Sequence, residues 1–452
     1  MRGTLALVLG LAAFTAACGG DDDDGGNGSG SSTPPTVSGV FPLSGFTGRT
    51  VRIEISGDAT TFADGATIDL GAGITVKNVT VGSPTSLFAD AVIDPTADLG
   101  KRDVKVTNGA DSLTLTKAFE VDAAISIATS APVQGGLMAF EIVNNDILNP
   151  FDDTCGFEIF GTCLQYSNTG VDVTHGLAQV SSVTANKISG TVFIDTDATD
   201  MDVTLTSGSL TSAPEDSVSV TARAPTALAN GTISLSADGS QLFSAALTAN
   251  VLTDMKVDTG GDDSSSSTIY LLPASGHWAD GVQTGFVGGD GFVRNDAFSA
   301  TATNVFFVYV DDGTEEGTDI TVRQVTPGAA VTETEANNTT ATAQNVTLPA
   351  LITGGSITSD TDQDWFKFTV AAANNGKTLR VFTFGDPQAD VLVDAFNTNA
   401  NTSIGESGDS GFQENFASTD PLITGTSYVE ISASSFGIDP NHNTYSAIIW
   451  TE

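Results

Sequence analysis

Two short combs of oxygen-bearing side chains stand close together toward the end of the 452-residue chain. Glu333-Thr-Glu335-Ala-Asn337-Asn338 supplies four such side chains in one stretch. Asp360-Thr-Asp362-Gln-Asp364 supplies three more, immediately before the apolar pair Trp365-Phe366. Calcium takes about six to eight hard oxygen ligands, drawn from carboxylates, amides and carbonyls. Alternate residues of an extended chain share a face, so Glu333, Glu335 and Asn337 are expected on one side. These are the residues whose types and spacing best support chemistry, and that chemistry is ion binding.

Other constellations are weaker. The three histidines, His175, His277 and His442, lack the paired spacing of a zinc hydrolase. Gly408-Asp409-Ser410-Gly411 has the letters of a protease nucleophile motif, but no preceding segment supplies the histidine and aspartate that such a serine needs. It reads as a Gly-rich turn. Carboxylate pairs are too common in so acidic a chain to single out a glycosidase pair. Trp278 lies in the Gly-rich stretch Ser-Gly-His277-Trp278-Ala-Asp-Gly and is the candidate for an exposed ligand contact, with a buried or half-buried packing role as the alternative. No catalytic group emerges, and the chain is expected not to be an enzyme.

Cysteine usage points outside the cytoplasm. Cys155 and Cys163 lie close in sequence with no His or Cys neighbours for a metal, so an oxidising compartment should join them as a disulfide. Cys18 stands apart. Before it come Arg2 and a short apolar run, Leu5 to Phe14, which fits a secretory signal better than a membrane span. Thr15-Ala16-Ala17-Cys18 resembles a bacterial lipobox, with Thr15 where that family prefers Leu. The resemblance implies cleavage after residue 17 and a lipid on Cys18. Residues 19–36, GGDDDDGGNGSGSSTPPT, cannot build a core and form a tether spanning roughly 25 Å.

The elements that must position the acidic combs are strands. Glycine is abundant (48 residues), helical periodicity is absent beyond residue 17, and period-two alternation recurs from Val37 onward. The expected fold is all-β: tandem β-sandwiches after the signal peptide and tether. Residues 37–122 resemble the IPT/TIG immunoglobulin-like family through Phe41-Pro42-Leu-Ser-Gly45, Gly48 to Gly57 and Gly100-Lys-Arg-Asp-Val-Lys-Val-Thr-Asn-Gly109. Residues 123–224 echo them at a spacing of about 100 residues. They read as a second immunoglobulin-like sandwich, into which the cysteine pair is inserted.

Residues 329–452 resemble the bacterial pre-peptidase C-terminal (PPC) domain, a jelly-roll sandwich. The matching residues are Glu333 to Asn338, Ala341-Thr-Ala343, Gly355 to Val370, Gly425-Thr-Ser-Tyr428-Val-Glu-Ile and Tyr445-Ser-Ala-Ile-Ile. The resemblance implies a structural calcium held by Glu333, Glu335, Asn337, Asn338, Asp362 and Asp364. Residues 225–328 read as a degenerate copy of that domain, with Ala237-Asp238-Gly-Ser in place of the acidic motif.

A net charge of −39, with only 16 Lys and Arg, excludes nucleic acid as a partner. The chain is expected to be a non-catalytic lipoprotein of the bacterial envelope, held by its lipid at the outer membrane or cell surface. Its modules would bind a polysaccharide or an envelope protein, or act as spacers. The alternative is an accessory part of a secreted peptidase system or another envelope enzyme complex.

Overall fold

The computed structural model describes residues 33–159, 162–212, 218–258, 267–281, 283–284, 286–288, 292–311, 319–386, 389–398, 400, 402–407, 414–434, 439 and 441–452. Cys18 with its lipobox, the tether up to residue 32 and the Gly-Asp-Ser segment 408–410 lie outside them. Among the described residues there is no α-helix, and no helix is long and apolar enough to cross a membrane. The chain is a series of tandem β-sandwiches.

The first sandwich sets the pattern. One sheet orders the strands Thr36–Phe41, Thr50–Asp58, Ser86–Ile93 and Ile74–Ser83. The other orders Ser44–Phe46, Asp111–Asp122, Gly100–Asn108 and Thr67–Asp69. Strand Ser86–Ile93 shows why these residues pair: Leu87, Ala89, Ala91 and Ile93 all point into the core, while Phe88 faces out beneath Arg52. Burying each such aliphatic side chain contributes about 1.5–3 kcal/mol.

The second sandwich repeats this order. Strands Ile125–Thr129, Leu137–Asn144, Lys187–Ile194 and Gly176–Thr184 form the first sheet. Thr169–Val173, Val203–Ser207 and Leu210–Thr211 form the core of the second. The hairpin Cys155–Ile159 with Thr162–Tyr166 is added between Leu137–Asn144 and Thr169–Val173. A Cys155–Cys163 disulfide with Cα atoms 5.8 Å apart staples it, as the spacing predicts.

The third and fourth sandwiches contribute four sheets, stacked in order. The first sheet contains Thr226–Ala227, Ser240–Leu247, Thr303–Asp311, Ser267–Leu272 and Gln283–Thr284. The second contains Gly231–Thr232, Asp319–Val325, Leu252–Asp258, Phe292–Ala297 and Phe286–Gly288. The third contains Val331–Thr332, Ala350–Ser356, Thr444–Thr451, Leu379–Gly385 and Asn415–Ala417. The fourth contains Gln344–Asn345, Gln363–Val370, Gly425–Ala433, Val391–Phe396 and Ser403–Glu406. Matching strands in chain order makes the first sheet equivalent to the fourth and the second to the third, so residues 225–328 do copy the architecture of 329–452. As described, every edge strand of these four sheets is two to four residues long.

Candidate metal centre and module junctions

The acidic combs converge, although the leading segment bends at Glu335 and forms no strand there. Glu333 follows the short strand Val331–Thr332, and its backbone N–H donates to Thr353 O at 2.9 Å. The Trp365 N–H donates to Asn337 O at 3.1 Å, which ties the leading segment to the strand carrying Asp364. Carboxylate oxygens of Glu333, Glu335 and Asp364 all lie within 4.8 Å of one another. Glu333, Asn337, Asp362 and Asp364 are buried, with Asp364 fully so. Glu335 reaches the group from an exposed position. Asn338 differs: it is exposed. The structure brings together carboxylate oxygens of three of the six expected ligands, with Asn337 and Asp362 buried beside them, and leaves Asn338 outside.

Among the described residues no cation pairs with this group. Glu333 Oε1, Asn337 Oδ1 and Asp364 Oδ1 are buried without a hydrogen-bond partner. Asp364 Oδ2 accepts from Tyr445 Oη at 2.7 Å, and Asp362 Oδ2 accepts from Thr358 N and Oγ1, each at 2.7 Å. Burial first, then the neighbouring carboxylates of Glu333, Glu335 and Asp362, push Asp364 up to about 7 against the Tyr445 hydrogen bond. Burial followed by Glu335 and Asp362 likewise raises Glu333. Buried like charges with open lone pairs are the donor set of a hard divalent cation. The residues present fit calcium.

The equivalent corner of the third sandwich is closed differently. The loop 236–240 also precedes a central strand, and Arg223 leads in over it. Its Nη1 donates to Ser240 Oγ at 2.9 Å and lies 3.7 Å from Asp238 Oδ1. Its Nε donates to Gln134 O of the second sandwich at 2.9 Å. A guanidinium occupies the place that the carboxylates of the fourth sandwich leave open.

Trp278 is not an exposed contact. It is 3% exposed, on a 3-10 turn Trp278–Asp280, and it joins the second sandwich to the third. Its backbone N–H donates to Asp195 Oδ1 and its indole N–H to Ile194 O, both at 2.9 Å. The ring packs on Phe193 and Tyr270 at centroid distances of 4.6 and 5.2 Å. Gly276, at φ +73°, lets this loop approach: a Cβ there would collide with Thr196, whose N–H donates to Gly276 O. An aromatic ring in a Gly-rich loop finds its apolar surroundings 80 residues upstream, where sequence-local reasoning cannot look.

The other junctions are equally filled. Between the first two sandwiches, Arg49 lies 3.4 Å from Asp146 Oδ2 and its Nη2 donates to Asn149 O at 3.1 Å. Phe46 packs against the second core. Between the last two, Leu252 and Val325 meet Leu351, Phe382, Ile448 and Trp450 in one apolar cluster. Beside it, Arg294 grips Glu452 through two bonds of 2.9 and 3.1 Å and Asp254 at 3.2 Å. Arg323 and Arg380 reach the same Glu452 carboxylate at 3.3 and 3.9 Å. The hydrogen bond from Arg294 and the surrounding arginines outweigh burial and hold Glu452 down to about 2. Five of the eight arginines in the chain, Arg49, Arg223, Arg294, Arg323 and Arg380, thus stand at junctions.

No known protein family matches the chain, and no curated protein does. Solved structures similar to it include FdeC, a broadly conserved Escherichia coli adhesin, at 13% identity over 64% of this chain and 95% of that one, with a TM-score of 0.17. A second is the Bacteroides ovatus protein SGBP-B of a mixed-linkage glucan utilization locus, in complex with a heptasaccharide. It is 13% identical over 65% of this chain and 75% of that one, with a TM-score of 0.17. The Yersinia pseudotuberculosis adhesin InvE is 12% identical over 42% and 59%, with a TM-score of 0.18. Similarities of this size carry no argument about what the chain does.

Proposed function

We propose that this chain is a non-catalytic lipoprotein of the bacterial cell surface whose sandwiches form a stiff array that holds a binding surface away from the membrane. The observation that carries this reading is the filling of every junction: each has an apolar contact and an arginine bonded across it. A flexible linker series would leave those residues in water. The Cys18 lipid and the acidic tether supply attachment, and the joined sandwiches supply reach. Small-angle scattering tests the array. One compact distribution of distances, broadened by Arg223→Ala or Glu452→Gln, is the expected result. A wild-type chain that scatters as independently moving domains would overturn it. Labelled lipid incorporation, lost in Cys18→Ala, tests the anchor.

Calcium belongs to the same reading. Glu333, Glu335, Asn337, Asp362 and Asp364 would hold the ion, and its charge would offset their repulsion. Because three of these lie on the segment that enters the fourth sandwich, binding would fasten that segment to the Asp362–Asp364 corner. The role is structural.

A further inference from the structure

The four-sheet stack leaves one face over. The first sheet is covered by the second sandwich, and the second and third cover each other. The outward face of the fourth sheet packs on no other sandwich among the described residues. Across it, strand pairing aligns Glu406, Asp394, Glu430 and Trp365 in one row, and Phe396, Tyr428 and Lys367 in the next. Trp365 stacks on Phe396 at 5.2 Å and meets Tyr428 edge-on at 6.3 Å. None of these three rings belongs to the core of the sandwich or to its junction.

The polar groups of this face lack partners. Glu430 is 7% exposed, yet no described residue donates to its carboxylate or to those of Asp394 and Glu406. The Trp365 indole N–H is buried without an acceptor. Lys367, the cation on the face, forms no ion pair with any of the three carboxylates. Like charges directly opposite across strands repel. Burial, and then Glu406, pushes Asp394 up to about 6; burial, and then Asp394, pushes Glu430 up to about 7.

The equivalent face of the third sandwich shows what such a surface does. There, strand pairing aligns Tyr270, Val308 and Leu242 at the positions of Asp394, Glu430 and Trp365. Leu272 and Phe306 take the places of Phe396 and Tyr428. These residues form the apolar cluster that seats Phe193 of the second sandwich. The same sheet face therefore docks a protein surface in one copy. In the other no further sandwich covers it among the described residues, and two apolar positions are changed to carboxylates.

We propose that the outward face of the fourth sheet docks a basic protein partner, seating a lysine or arginine side chain against Asp394, Glu406 and Glu430 beside the rings of Trp365, Phe396 and Tyr428. This rests on the chain being a binding array, and it names the face and the chemistry of the partner. A cation neutralises the row of carboxylates and is attracted by the ring faces. The net charge of −39 draws such a partner in.

Calorimetric titration of the full chain with the peptide acetyl-Arg-Phe-Arg-Phe-Arg-amide, at physiological salt, tests this. The double variant Asp394→Asn/Glu430→Gln should weaken binding at least tenfold. The charge-matched variant Asp58→Asn/Asp64→Asn, on exposed positions of the first sandwich, should change it less than twofold. The Asp394/Glu430 variant should also melt higher than wild type, since it relieves repulsion, and that separates lost docking from lost folding. Three results would each overturn the proposal: no binding to wild type; equal weakening in both variants; or a neutral glucan hexasaccharide that loses binding in the face variant while the peptide does not. None of them bears on the packed array, which scattering tests separately.

Discussion

The third and fourth sandwiches solve one problem in two ways. In both, the segment entering the sandwich crosses a polar loop that precedes a central strand. In the third, Arg223 brings a permanent cation onto Asp238, Ser236 and Ser240. In the fourth, Glu333, Glu335 and Asn337 bring more negative charge and open lone pairs onto Asp362 and Asp364. One corner is complete when the chain folds. On the reading proposed above, the other would be completed by an ion from outside, and its tightness would follow the calcium concentration of the surroundings. One corner is then held unconditionally by a side chain, and the equivalent corner of the next sandwich would be conditional.

The comparison can be broken most sharply at Arg223. Arg223→Ala takes the cation from Asp238, whose side chain is 4% exposed and keeps only hydrogen bonds from Leu137 and Ser240, and should cost about 3 kcal/mol. Denaturant unfolding at fixed calcium reads this, and added calcium should not restore it. Calcium itself comes next. At about 100 times its dissociation constant it should stabilise the wild-type chain by about 2.7 kcal/mol, seen as a rise in the melting transition of the fourth sandwich. The full chain is the material to use, because the Glu452 cluster and the Trp450 contacts join this sandwich to its neighbour. No shift at millimolar calcium would remove the ion from the account.

A smaller effect sharpens the same contrast. Asp364 is an acid whose folded pKa is raised to about 7. Below its unfolded value of about 4 it carries no penalty; the penalty grows as the pH rises and is complete above about 7. In chelator, Asp364→Asn should therefore be more stable than wild type at pH 8 and no more stable near pH 4. The same variant should lose its response to calcium. A gain independent of pH would show that Asp364 is not the strained carboxylate.

The sequence carried the parts of this comparison unevenly. Period-two alternation fixes the strands, and the echo at about 100 residues marks the second sandwich as a copy of the first. The acids close in sequence foretell the cluster, but not by strict alternation: the segment bends at Glu335, which stays exposed while Glu333 and Asn337 are buried. Asn338, next to Asn337, is left outside. The junctions were not legible. Arg49, Arg223 and Arg294 stand singly, and their partners Asp146, Gln134 and Glu452 lie about 90 to 160 residues away. Trp278 misleads in the same way: its loop is rich in glycine not to expose the ring but to let two backbones meet. The carboxylate row of the fourth sheet also escapes a linear reading, since Asp394, Glu406 and Glu430 become neighbours only through strand pairing.

The short edges of the last two sandwiches bear on life at high density. A lipid-anchored protein gathered in a membrane meets its own copies far more often than one in free solution. Long bare strand edges would let those copies zip together through main-chain hydrogen bonds. Each described edge of these two sandwiches offers two to four residues, too few to nucleate such pairing, whereas the edges Ile74–Ser83 and Gly176–Thr184 of the first two are 10 and 9 residues long. Pairing between crowded copies would then fall to the first two sandwiches, and the distal face would stay open to other partners.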